Sequence, residues 1–133
     1  MPPHRKIDVV IDSVKRLQRI GATANLLNLL QKQHPADLAE VFNELPDKQR
    51  RSAFNTLLGQ NSRLAIEALS ELDFELGASM LIEYPADELA RLFQELPSDD
   101  AAAWIGYLPD ELSAQVLELM RRKDSDQAWQ WDH

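Results

Sequence analysis

The sequence has no cysteine, so neither a disulfide framework nor a thiolate metal site is open to it. Its four glycines, Gly21, Gly59, Gly77 and Gly106, are scattered, which excludes a glycine-rich phosphate loop. The three histidines stand far apart in the chain. Long apolar runs are missing as well. The longest, such as Ala101 to Ile105 and Met80 to Ile82, fall far short of a bilayer span. The opening MPPHRKIDVV has no unbroken apolar stretch and does not read as a secretory signal. No serine sits in a G-x-S-x-G context, and no pair of carboxylates can be assigned acid and base roles. The expectation is therefore a protein that is not an enzyme, with apolar positions spent on a core rather than on a deep pocket.

What is present is a repeat. HPADLAEVFNELP at His34 to Pro46 returns as YPADELARLFQELP at Tyr84 to Pro97. Prolines 35, 46, 85, 97 and 109 punctuate the chain, and proline is tolerated in the first turn of a helix but not in its interior. Each proline therefore predicts a helix start. Gly59-Gln60-Asn61-Ser62 and Leu72-Asp73 supply breaks where proline is missing. Between the breaks apolar residues recur at i, i+3, i+4 and i+7: Leu38, Val41, Phe42 and Leu45, then Leu89, Leu92, Phe93 and Leu96. Ala53, Phe54 and Leu57 are matched by Trp104, Ile105 and Leu108; Ala65, Ala68 and Leu69 by Val116, Leu119 and Met120. This is one-faced helical periodicity, and it predicts a duplicated block of short helices stacked so that neighbours share a core. Residues 1–33 read as two helices parted at Gly21, with Val10, Val14 and Leu17 inward, capping the stack. Residues 34–123 read as the repeat, in one domain with them. Residues 124–133, where Trp129 and Trp131 leave the pattern, read as a frayed tail or a linker start.

Charge is uneven. Residues 1–33 hold six bases and two acids, whereas residues 34–133 hold eight bases and twenty acids. From Ala65 to Glu118 there are thirteen acids and one base, Arg91. Such a surface repels nucleic acid and anionic lipid and attracts cations or a basic partner. Carboxylates without cysteine or clustered histidine suit hard cations, Mg²⁺ or Ca²⁺, rather than zinc. No EF-hand loop is present, and Mg²⁺ commonly takes one or two protein carboxylates and keeps its waters. Asp99-Asp100, Asp87-Glu88, Glu71-Asp73-Glu75 and Asp110-Glu111 are the clusters of interest. Several of them follow predicted helix starts, where the dipole alone explains an acid. Glu67, Glu71, Glu83, Glu95 and Glu118, in helix bodies or near helix ends, are not explained that way. His34 is a poor candidate ligand, because its repeat partner Tyr84 cannot replace an imidazole. Phe42, Phe54, Phe93 and Trp104 fall on the apolar face and read as core, while Phe74 and Tyr107 fall at unit edges.

HPADLAEVFNELP, YPADELARLFQELP, LPSDDAAAWIGYLPDE and VLELMRRKDSDQA together resemble the cytoplasmic N-terminal domain of MgtE-type magnesium transporters, over roughly residues 30–128. The resemblance implies a right-handed superhelix, so the expected fold is an all-α superhelical stack (a solenoid) of about ten short helices. It further implies a regulatory domain preceding paired CBS domains and a transmembrane pore in a homodimer, at the cytoplasmic face of the membrane, without direct membrane insertion or nucleic-acid binding. Weakly held Mg²⁺, shared between this domain and the CBS domains of the same transporter, is the implied ligand. Asp99 and Asp100, in the LPSDDAA match, are the implied cation-facing residues, followed by Asp87, Glu88 and Glu95. The middle domain of the flagellar rotor protein FliG is similar in its helical stack and its E-H-P-Q motif, read here as Gln33-His34-Pro35-Ala36. That resemblance implies a protein-binding scaffold without ion sensing.

Overall fold

A computed structural model describes the backbone of residues 6–131 and the side chains of residues 6–122. Nine α-helices and no strand occur among the described residues: α1 (Lys6–Ile20), α2 (Thr23–Gln31), α3 (Pro35–Glu44), α4 (Asp47–Gln60), α5 (Ser62–Ser70), α6 (Phe74–Leu81), α7 (Ala86–Gln94), α8 (Ser98–Gly106) and α9 (Asp110–Trp131). The chain divides into two compact units, residues 1–73 and residues 74–133.

The breaks are local chemistry. Gly21 ends α1 at φ +71°, a left-handed conformation that glycine adopts without steric cost. Its N–H donates to Gln18 O and that of Ala22 to Leu17 O, at 3.2 and 3.0 Å, the paired bonds of a Schellman motif. Pro35 is the first residue of α3, whereas Pro46, Pro85 and Pro97 are the extended N-cap residues of α4, α7 and α8. The second copy of the repeat motif carries one extra residue, Glu88. Moving proline from the first helical position to the N-cap absorbs it, so Leu38 and Leu89 both fall in the fourth helical position. Their N–H groups donate to His34 O and Pro85 O, at 2.9 and 3.1 Å. Asn61 caps α5 by accepting from Leu64 N at 3.2 Å. Gly59 and Gln60, by contrast, stay inside α4 and break nothing.

In the first unit, α3 packs on α1, α4 and α5, and α4 also packs on α2 and α5. Val14, Leu30, Leu38, Val41, Phe42, Phe54, Leu57 and Leu69 are fully buried between them, and the Phe42 and Phe54 rings meet edge to face at 5.8 Å. In the second unit α7 packs on α9 and α8, and α8 on α9, around Leu89, Phe93, Trp104 and Val116. Leu119 and Met120 are only half-buried. Phe74 lies flat against Tyr107 at 4.7 Å, and its ring centroid is 4.6 Å from that of Trp104. α9 is far longer than the other helices. No proline or glycine follows Pro109, and Lys123 stands where the first copy turns at the buried Leu72. The helix therefore runs through residues 124–131. The side chains of Trp129 and Trp131 lie outside the described residues.

Candidate metal-facing surface

The five carboxylates singled out from the sequence all belong to α7, α8 and the turn between them. Asp87 and Glu88 occupy the first turn of α7, and Asp99 and Asp100 the first turn of α8, where the positive end of each helix favours them. Neither helix has a side-chain N-cap bond, so these acids act on the dipole rather than as caps. Glu95 is different. It sits at the C-terminal end of α7, where backbone carbonyls make the dipole unfavourable, and its own N–H turns back to Leu92 O at 3.1 Å. All five are exposed, and none joins a salt bridge among the described residues. Arg91, the one base of α7, is exposed and unbridged as well.

Among the described residues no three His, Asp or Glu side chains converge into a set that holds a metal ion. The donors present are carboxylate oxygens, the hard-ligand class that suits Mg²⁺, offered in ones and twos rather than as a cage. His34 is exposed at the N-cap of α3, without a side-chain cap bond.

Tyr84, the repeat counterpart of His34, is half-buried beside this surface. Burial, and then the negative charge of Glu88, push its phenol up to about 12.

Sequence reasoning passed over Arg50. It is the one buried charged side chain among the described residues, at a position where the second copy has Ala101. Its guanidinium donates to Phe42 O at 2.5 Å, Leu45 O at 2.8 Å and Asn43 O at 3.4 Å, satisfying the carbonyls that end α3. Asp47 Oδ1 accepts from it at 2.6 Å. An arginine at an otherwise apolar repeat position was the available signal.

No described helix is long and apolar enough to cross a membrane. No curated protein and no solved structure matches the chain. Residues 33–131 match the family described as the MgtE intracellular N domain, which spans both copies of the repeat. The chain belongs to that family, a domain of magnesium transporters.

Proposed function

We propose that this chain is a Mg²⁺-sensing regulatory domain that acts by docking, through the carboxylates of α7 and α8, onto the CBS domains of its transporter at the cytoplasmic face of the membrane. The observation that carries the reading is the state of Asp87, Glu88, Glu95, Asp99 and Asp100: exposed, without a salt bridge among the described residues, and crowded onto one helical pair with Arg91 as its lone base. Brought against a second acidic face, each carboxylate pair at about 4 Å repels by about 1 kcal/mol in water and by several times that when partly desolvated. A divalent ion between the faces reverses the sign. Because no set of three donors converges among the described residues, a shared ion would distinguish docked from undocked states, and that differential affinity is the whole of the switch. Driving the docked state from about 1% to about 99% populated needs about a 10⁴-fold preference, which a few shared ions supply together. In the homodimeric transporter, docking at high Mg²⁺ holds the pore shut, and loss of the ions releases the domain.

The test is a Mg²⁺ titration of this chain alone and together with the CBS domains of an MgtE-type transporter, followed by protease protection. Protection that rises with Mg²⁺ only when both partners are present is the expected result. Docking indifferent to Mg²⁺ would replace this reading with a scaffold of the FliG type, and Mg²⁺-dependent protection of the chain alone would place a complete site within it.

A further inference from the structure

Three rings of the second unit stand in file from core to solvent. Trp104 is 2% exposed, Phe74 36% and Tyr107 52%. The Phe74 centroid is 4.6 Å from that of Trp104 and 4.7 Å from that of Tyr107, to which it lies parallel within 5°. Tyr107 meets no other ring among the described residues. One face of its ring is therefore covered by Phe74, and a residue still more than half exposed turns the opposite face to water. The build of the repeat does not ask for this. Thr56 holds the position of Tyr107 in the first copy, so an aromatic ring there is dispensable to the helix stack. Aromatic rings at the surface are enriched where proteins meet partners.

Charge around the rings is a separate observation. Glu75 follows Phe74, and Asp110 and Glu111 stand three and four residues after Tyr107, in the first turn of α9. All three carboxylates are exposed, and none joins a salt bridge among the described residues. Residues 64–90 and 92–120 hold no lysine or arginine to neutralise them. A ring face alone accepts any flat apolar group, and carboxylates alone accept any cation. Together they favour a flat cation. A guanidinium stacks on an aromatic face and keeps its N–H edge free for carboxylates. An ammonium is a compact, strongly hydrated point charge that meets the second demand better than the first.

We propose that the outer face of Tyr107 docks an arginine side chain presented by a basic segment of a partner protein, with Glu75, Asp110 and Glu111 supplying the counter-charge. The contact needs no metal ion, so it stands or falls independently of Mg²⁺ sensing by α7 and α8.

The test titrates a blocked pentapeptide of alternating arginine and glycine, and its lysine counterpart, into the whole chain in EDTA at low ionic strength. Binding is read by NMR shifts of the Tyr107 ring and the backbone amides. The arginine peptide is expected to bind saturably, to move the Tyr107 ring and the amides of residues 74–75 and 107–111, and to bind at least about threefold more tightly than the lysine peptide. Tyr107→Leu removes the ring but no charge, and it erases that preference; Tyr107→Phe keeps it. Asp110→Asn with Glu111→Gln weakens both peptides at least about threefold, and these exposed side chains leave the fold intact. Equal affinity for the two peptides, or an arginine preference that survives Tyr107→Leu, overturns the proposal by reducing the surface to general counter-charge. Shifts confined to residues 87–100 overturn it too. Self-association of the chain in sedimentation velocity, abolished by Tyr107→Leu, also overturns it, by giving the face to a second copy.

Discussion

Arg50→Ala is expected to destabilise the first unit by about 3 kcal/mol, an unusually large loss for a single polar residue. Two of the carbonyls that Arg50 reaches, Phe42 O and Leu45 O, are buried bonds at 2.5 and 2.8 Å. Each loses a charged donor and is left short of a partner, at about 1–3 kcal/mol apiece. The bond to Asn43 O is long at 3.4 Å and adds little. The Asp47 pair adds less than about 1 kcal/mol, since that carboxylate is 82% exposed. Alanine stands at the equivalent position of the second copy as Ala101, yet that offers no protection, because α3 and α7 end differently. α3 stops at Leu45 in an extended conformation, with its carbonyls turned to the guanidinium. α7 ends at Gln94 with Glu95 in a helical conformation, and the N–H of Leu96 bonds Phe93 O, the counterpart of Phe42 O, at 3.1 Å, so a backbone donor takes over one of the carbonyls that arginine holds in the first copy. Arg50→Lys retains the charge but not the planar fork, and recovers about half the loss. Equilibrium urea unfolding followed by far-ultraviolet circular dichroism measures both. A loss under about 1 kcal/mol for Arg50→Ala, or Arg50→Lys matching the parent, would refute the assignment of Arg50 as the C-terminal clasp of α3.

Three further outcomes are expected. Asp99→Asn with Asp100→Asn shifts Mg²⁺-dependent protection by the CBS domains to higher Mg²⁺, while the fold changes by no more than about 1 kcal/mol, since both side chains are exposed and only their dipole interaction is lost; unchanged Mg²⁺ dependence would remove them from the docking face. Gly59→Ala raises stability by about 0.5 kcal/mol, because the helical position opens onto free space, whereas Gly21→Ala costs about 1 kcal/mol through its positive φ although no atom lies within 4 Å, and thermal melts separate the two signs. Tyr84 ionises near pH 12 rather than near 10; its folded value lies above its unfolded one, so its contribution to stability is whole below pH 10 and drains away as pH rises to 12, and a phenolate absorbance titration of Tyr107→Phe with a midpoint near 10 would contradict the burial of the ring.

Much of the fold was written in punctuation and period. Pro35, Pro46, Pro85, Pro97 and Pro109 each stand at or next to a helix start, and Leu38, Phe42, Phe54, Leu89, Phe93 and Trp104 are buried as the i, i+3, i+4 pattern requires. The length of α9 was less legible, because a helix ends at a signal and the pattern fades after Met120 without supplying one. Arg50 was missed for a related reason: its partners are carbonyls, which carry no side-chain identity in a sequence. The bond from Gln18 Nε2 to Gln49 O could not be read at all, since it depends on the pairing of α1 with α4, thirty-one residues away. The acidic surface was visible as charge density, but the placing of Asp99 and Asp100 on a first turn and of Glu95 at a helix end required the helix boundaries themselves.

Comparing the two copies position by position shows what duplication left free. Ala53, Phe54 and Leu57 of α4 correspond to Trp104 and Ile105 of α8 and to Leu108 just past its end, and all six are buried. Core positions are thus held apolar while their volumes change, as packing within separate neighbourhoods demands. The solvent-facing half of the same helices has changed sign. Asp47-Lys48-Gln49-Arg50-Arg51 in α4 stands where Ser98-Asp99-Asp100-Ala101-Ala102 stands in α8. Lys48 lines a cleft between α1 and α4 together with Lys15 and Arg19, and its counterpart Asp99 sits on the acidic surface. A helix tolerates either charge on an exposed face at a cost of tenths of a kcal/mol, whereas a charge on the buried face must be fully hydrogen-bonded, as Arg50 is. Duplication of one apolar pattern therefore left two helical scaffolds of the same build with opposite charge on their exposed faces, and the second copy, with alanine at the Arg50 position, ends its first helix at Gln94, one residue earlier in register than Glu44, with Glu95 as a C-cap still in a helical conformation.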